Sequence, residues 1–254
     1  MKTNISKFAL GTCGYAAYLL SGIIAALLFV AYECIVQLVK YGEADSFSKL
    51  LREVTEKNSS LVLLVSYIIT MTVVCFAIRH RGKSVSAYTG LSYVYPLGVF
   101  GAVIFGALLN LATASVISPS EAEAEFNTVF LMCVIAGPFV EEVVFRGLLL
   151  KIFGKACGMF WAICVTSFLF AISHSDMVQA IYAFILGVVL CVVRIRGTSL
   201  WSAVALHLSF NLSGIVLATS SIELPDVAIF VLPLLAILSF MLACSGGRKK
   251  VRGK

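Results

Sequence analysis

The sequence predicts an all-α, polytopic transmembrane helix bundle of about eight spans, with N- and C-termini cytoplasmic. Three observations carry that prediction. Of 254 residues, 60% are hydrophobic and 13% charged, with a mean hydropathy of +1.01; soluble domains run near ~25% charged. The apolar residues gather into eight runs, each close to the ~20 residues that a helix needs to cross a bilayer core of ~30 Å. Finally, Lys and Arg crowd onto one side of the resulting layout.

The runs fall roughly at 8–32, 60–79, 93–117, 127–153, 157–174, 177–193, 198–219 and 226–245. The first follows Lys2 and Lys7. It exceeds the ~7–15 apolar residues of a signal peptide and reads as an uncleaved span. Ser46–Lys57 sets Phe47, Leu50, Leu51 and Val54 at helical spacing between charges, which predicts an amphipathic helix on the outer surface. The second run ends in Arg79-His80-Arg81, where His80 reads as a surface residue. Ser118-Pro119-Ser120-Glu121 has the form of a capping box with Pro at the first helical position. The acidic residues Glu121, Glu123 and Glu125 suit the start of that helix. It leads into the long fourth run, where Gly137-Pro138 predicts a kink. The tail Arg248–Lys254 reads as a basic cytoplasmic anchor.

With the N-terminus inside, all but Lys40, Lys49, Arg52 and Lys57 of the 19 basic residues lie on the cytoplasmic side or at span ends facing it. The net charge of +6 therefore reports topology, not nucleic-acid binding. The eight cysteines form no C-x-x-C pair and lie mostly in apolar runs, as small buried residues do. The chain divides into N-terminal helices with an outer amphipathic segment (1–126), a core of four spans (127–219) that carries the ionisable residues at membrane depth, and a last span with a basic tail (220–254).

Ionisable residues at membrane depth are few: Glu141, Glu142, Arg146, His174 and His207. Each costs several kcal/mol, from ~3 to over ~10, and Glu141 and Glu142 are adjacent like charges. Glu33 is assigned to the outer interface and Asp176 to the turn after the fifth span. Glu142 and Arg146 stand four apart and share a helix face. Glu141 points about 100° away and is free to face a different neighbour. His207 and Asn211 are again four apart. A carboxylate hydrogen-bonded to an imidazole can take a proton from water, which suits Glu141 with His174. A second imidazole and an amide can donate to an oxyanion, which suits His207 with Asn211. Together they predict amide hydrolysis without a covalent nucleophile. The alternative is a zinc site of Glu141, His174 and His207 with an open position; the missing H-E-x-x-H, and the lack of any short-range histidine pair, favour the metal-free reading.

These residues also carry a resemblance. Glu141-Glu142-Val143-Val144-Phe145-Arg146 resembles the E-E-x-x-x-R motif of the CPBP (Abi) family, the CAAX prenyl and bacteriocin-processing intramembrane proteases. Phe170-Ala171-Ile172-Ser173-His174 resembles its F-x-x-x-H motif, and His207-Leu208-Ser209-Phe210-Asn211 its H-x-x-x-N motif. The resemblance implies a bundle of about eight helices with a cavity open to the cytoplasm. It also implies a CAAX protease-like endopeptidase, of glutamate type or a metalloprotease. By similarity Glu141 and His174 activate water, His207 and Asn211 support the oxyanion, and Glu142 and Arg146 support the site. The implied partners are the bilayer and a membrane-associated peptide or protein substrate, and the implied location is a cell membrane, read as bacterial plasma membrane. Two readings compete. One is a non-catalytic partner of a sensor kinase or transporter, or a bacteriocin immunity protein. The other is a proton-coupled transporter, disfavoured because no internal repeat is visible.

Overall fold

The computed structural model describes residues 2–42, 45–114, 128–174, 176–197, 199–219 and 228–245. The expected capping box at 118–121, the acidic residues 121–125 and the basic tail lie outside the described residues. Within them the chain is all-helical, with no strand. Each of the eight apolar runs is helical over most of its described part.

The first helix, α1 (Lys2–Tyr41), is 40 residues long, about 60 Å at the α-helical rise. The amphipathic segment forms α2 (Phe47–Lys57). Its Leu50 is buried against Val30 of α1, with Phe29, Cys34, Leu51 and Val62 around them. Part of its apolar face is therefore turned onto the protein itself. The turn into α2 is fixed by Asp45, whose backbone N–H donates to Gln37 Oε1 (2.8 Å) and whose carboxylate accepts from Lys49 (2.9 Å). The Lys49 hydrogen bond holds the Asp45 carboxyl below its ordinary range.

There follow α3 (Ser59–His80), the short α4 (Val85–Thr89), α5 (Pro96–Ala114) and α6 (Thr128–Glu142). His80 is exposed, as expected, and its ring lies 6.0 Å from that of Phe76. The regular α-pattern of α6 runs through Pro138. The departure from it comes one turn later, at Val143–Leu149, a seven-residue π-helix. The helix then resumes as α7 (Leu150–Cys157), followed by α8 (Met159–Ile172), α9 (Met177–Gly197), α10 (Leu200–Thr219) and α11 (Ala228–Ala243). Asp176 accepts from the Gln179 N–H (2.7 Å) and so caps the start of α9.

Four segments are long and apolar enough to cross a membrane: Asn4–Tyr41, Leu61–His80, Met177–Gly197 and Leu200–Leu217. Pro96–Ala112, Met159–Ile172 and Val231–Ala243 are shorter apolar helices. Large side chains such as Leu28, Phe76, Phe100, Phe160 and Leu234 point outward, as they do where lipid is the solvent. The π-helix lies at the centre. It touches α1, α4, α8, α9 and α10 besides its own continuation, and Val143, Val144, Phe145, Arg146, Gly147 and Leu149 are buried.

Alongside it, α10 lies on α5 and α5 on α11. The α5–α10 approach depends on Gly106, where a Cβ would come within 2.3 Å of the Leu206 carbonyl oxygen. Gly106→Ala is expected to push α10 away from α5, at a cost of about 1–3 kcal/mol, and to disturb His207 next to Leu206. Gly22→Ala, where a Cβ meets nothing within 4 Å, is the control. Thermal melting of the detergent-solubilised pair checks this: equal melting temperatures would refute it.

Candidate active site

Glu142 ends α6 and Arg146 sits one turn on, inside the π-helix. Both are fully buried and form an ion pair of 2.7 Å between Arg146 Nη1 and Glu142 Oε1. The i,i+4 spacing sets them on one face, as expected. Arg146 Nη2 donates to the Gly187 carbonyl of α9 (3.3 Å). Its guanidinium carbon lies 4.5 Å from the centroid of the Phe170 ring, a distance at which a cation is attracted to the ring face.

The same Glu142 oxygen accepts a second hydrogen bond, from His207 Nδ1 on α10, at 3.0 Å. A carboxylate paired with a guanidinium can only accept, so Nδ1 carries the proton. The other ring nitrogen, Nε2, then faces Glu141, whose Oε2 is 3.8 Å away. That is too long for a direct hydrogen bond. Glu141 is the more open carboxylate, with its side chain 15% exposed against none for Glu142.

His174 ends the turn after α8. Its Nδ1 lies 2.9 Å from the Phe170 carbonyl oxygen, which again requires the proton on Nδ1 and turns Nε2 away from that carbonyl. Phe170 is buried between the two imidazoles. Its centroid is 5.0 Å from that of His174 and 5.5 Å from that of His207, both edge-to-face. Phe145 packs on Phe170 at 5.3 Å, and Tyr15 and Tyr18 of α1 pack on Phe145. Tyr15 Oη donates to the Leu169 carbonyl (3.1 Å) and lies 3.2 Å from Ser173 Oγ, tying α1 to the turn that carries His174.

The structure thus gathers Glu141, Glu142, Arg146 and His207 directly, and holds His174 beside them through Phe170. Two expected pairings are not direct contacts among the described residues. The imidazole near Glu141 is His207, and no Glu141–His174 ion pair within 4 Å occurs among the described residues. The ring of His207 turns to the two carboxylates, while Asn211, one turn further along α10, makes no side-chain hydrogen bond among them. Glu141 and Glu142 approach opposite nitrogens of one imidazole; Glu141 also lies near Tyr18, and Glu142 is paired with Arg146. Nor do Glu141, His174 and His207 meet as a metal-ligand set: among the described residues no three His, Cys, Asp or Glu side chains cluster in that way. The Glu142–His207 bond had no signal in the sequence, because its partners are 65 positions apart.

Residues 123–213 match the family model of Rce1-like type II CAAX prenyl endopeptidases. The matched segment, about a third of the chain, is similar to that family and contains Glu141, Glu142, Arg146, Phe170, His174 and His207. The chain is also 28% identical, over 144 residues, to an uncharacterized 24.3 kDa protein of Escherichia coli. That alignment takes in 54% of this chain and 65% of the relative's length. No solved structure matches the chain. The likeness to CAAX prenyl endopeptidases is thus confined to this segment, and the apolar helices of the chain mark a membrane protein.

Proposed function

We propose that this protein is an intramembrane endopeptidase of a bacterial cell membrane. It spans the bilayer about eight times, with both termini inside, and hydrolyses membrane-associated peptides or proteins. One observation carries the reading. Two imidazoles are each anchored through Nδ1, so both present Nε2, and both stand on the same Phe170 ring beside a carboxylate pair at membrane depth.

In this reading Glu141, the accessible carboxylate, and His174 Nε2 take the proton of an attacking water. The oxygen adds to the scissile carbonyl carbon, and charge gathers on the carbonyl oxygen. His207, protonated at Nε2, and the Asn211 amide donate to it; one such donor is typically worth ~3–4 kcal/mol. The C–N bond then breaks, and the proton taken from water passes to the leaving amine. Glu142 and Arg146 orient His207 and do not touch the substrate. The site needs no metal in this scheme, so cleavage is expected to persist in a zinc chelator; its loss, restored by added zinc, would count against it.

The test is comparative membrane peptidomics of a deletion strain carrying either the natural gene or Glu141→Ala. Peptides that appear only with the natural protein identify the substrate. If Glu141→Gln fully rescues the deletion phenotype, the protein acts instead as a non-catalytic partner of another membrane protein.

A further inference from the structure

A second charged feature lies at the end of the bundle where α3, α7 and α9 finish and α5 and α10 begin. The segment between α3 and α5 crosses this end and is held by its carbonyls. Lys151 of α7 donates to the Tyr88 carbonyl. Arg194 of α9 donates to that of Thr89 at 3.1 Å, and Trp201 of α10 donates Nε1–H to that of Leu91 at 2.9 Å. Two ammonium groups share the Tyr88 ring: Lys83 is 4.9 Å and Lys151 5.2 Å from its centroid. Lys155 stands one helical turn beyond Lys151, and Arg194 reaches the carbonyl next to the one that holds Lys151. Two cations thus stand over one aromatic ring, and Lys155 and Arg194 lie within electrostatic reach of Lys151.

The Glu142 carboxylate acts on Arg194, whereas the charges acting on Lys151 are the cations Arg194, Lys155 and Lys83. Residues 79–118, 143–175 and 177–222 contain no Asp or Glu, and these stretches supply α4, the ends of α3, α7 and α9 and the starts of α5 and α10. Lys83, Lys151 and Lys155 have no carboxylate partner among the described residues. Mutual repulsion of this kind is relieved by an anion. Tyr88, Tyr93 and Trp201 surround the cluster, and Tyr and Trp mark the depth of lipid headgroups.

We propose that Lys83 and Lys151, standing over the Tyr88 ring, bind together with Lys155 and Arg194 a phosphate-bearing anion, the headgroup of an anionic phospholipid. Basic pockets between helix ends recognise such headgroups, each Lys or Arg near the surface contributing about 1 kcal/mol. Lys151 and Arg194 are fixed by the loop carbonyls and give the pocket its shape. Lys83 and Lys155 are exposed and add charge at its mouth. Because Trp201 is bonded to the same loop, its indole reports on occupancy.

The experiment uses the full chain in detergent with Trp161→Phe, which leaves Trp201 as the one tryptophan of the chain's two. Its fluorescence is followed while dioctanoyl phosphatidylglycerol, dioctanoyl phosphatidylcholine or inorganic phosphate is added. Native mass spectrometry counts bound lipid in parallel. The expected result is saturable binding of phosphatidylglycerol, weakened about tenfold or more in Lys83→Gln/Lys155→Gln and unchanged in Arg79→Gln/Arg81→Gln, which removes the same charge from the neighbouring helix end. Saturable binding and competition by inorganic phosphate would support the site with free phosphate as its ligand. Equal weakening in both double variants, or no saturable binding of either anion, would overturn the proposal.

Discussion

Glu141→Gln will abolish cleavage while leaving the fold intact. A positioned general base contributes roughly 10²–10⁴-fold to rate, and glutamine keeps the shape of the side chain without its basicity. The structural cost is small, because Glu141 is partly open and its nearest charged contact, His207 Nε2, is already 3.8 Å away. The measurement is the rate of substrate cleavage beside the melting temperature of the same preparation. A variant that melts normally and still cleaves at the natural rate would remove Glu141 from the chemistry.

The buried neighbour should behave in the opposite way. Glu142→Leu removes the acceptor of two hydrogen bonds at once, from Arg146 and from His207. The Arg146 guanidinium is then left fully buried with an uncompensated charge, which typically costs about 3–5 kcal/mol. What remains to it is the Gly187 carbonyl and the face of the Phe170 ring. A large fall in melting temperature is expected. The double variant Glu142→Leu/Arg146→Met should recover most of it, since apolar groups of similar volume can replace a buried ion pair. It should not recover cleavage, because His207 Nδ1 still lacks its anchor. The chain has three histidines, so ¹⁵N spectra of its imidazoles resolve the effect directly. The His207 signal should lose its fixed Nδ1–H tautomer in the double variant, and that of His174, anchored to the Phe170 carbonyl, should keep it. Recovery of cleavage along with stability would show that the Glu142–His207 bond has no positioning role.

Much of this arrangement was legible in the sequence, for definite reasons. Apolar runs of sufficient length have to be helical if lipid surrounds them, and all eight are over most of their described length. The Glu142–Arg146 pair was legible because both residues belong to one helix and i,i+4 spacing fixes their relation. The direction of Glu141 was not. An angle of 100° per residue describes where Cβ points, whereas a glutamate carries its carboxylate three rotatable bonds further. An imidazole offering nitrogens on two sides can therefore meet two adjacent glutamates. The π-helix was also invisible: Gly137-Pro138 drew attention to the wrong turn, and Val143–Leu149 has no proline and one glycine. Its irregularity comes from burial among five other helices, which only the assembled bundle supplies. The amphipathicity of α2 was legible, but not which apolar surface would receive Leu50, because an apolar stripe does not distinguish a neighbouring helix from a bilayer.

The quartet at the centre has an arithmetic of its own. The Arg146 guanidinium is committed to Glu142, so two carboxylates and one guanidinium sum to a single formal negative charge on the side of Glu141, whose side chain is partly open. A ligand arriving beside Glu141 therefore meets the carboxylate end of the set, where a hydrogen-bond donor or a cation is favoured over an anion.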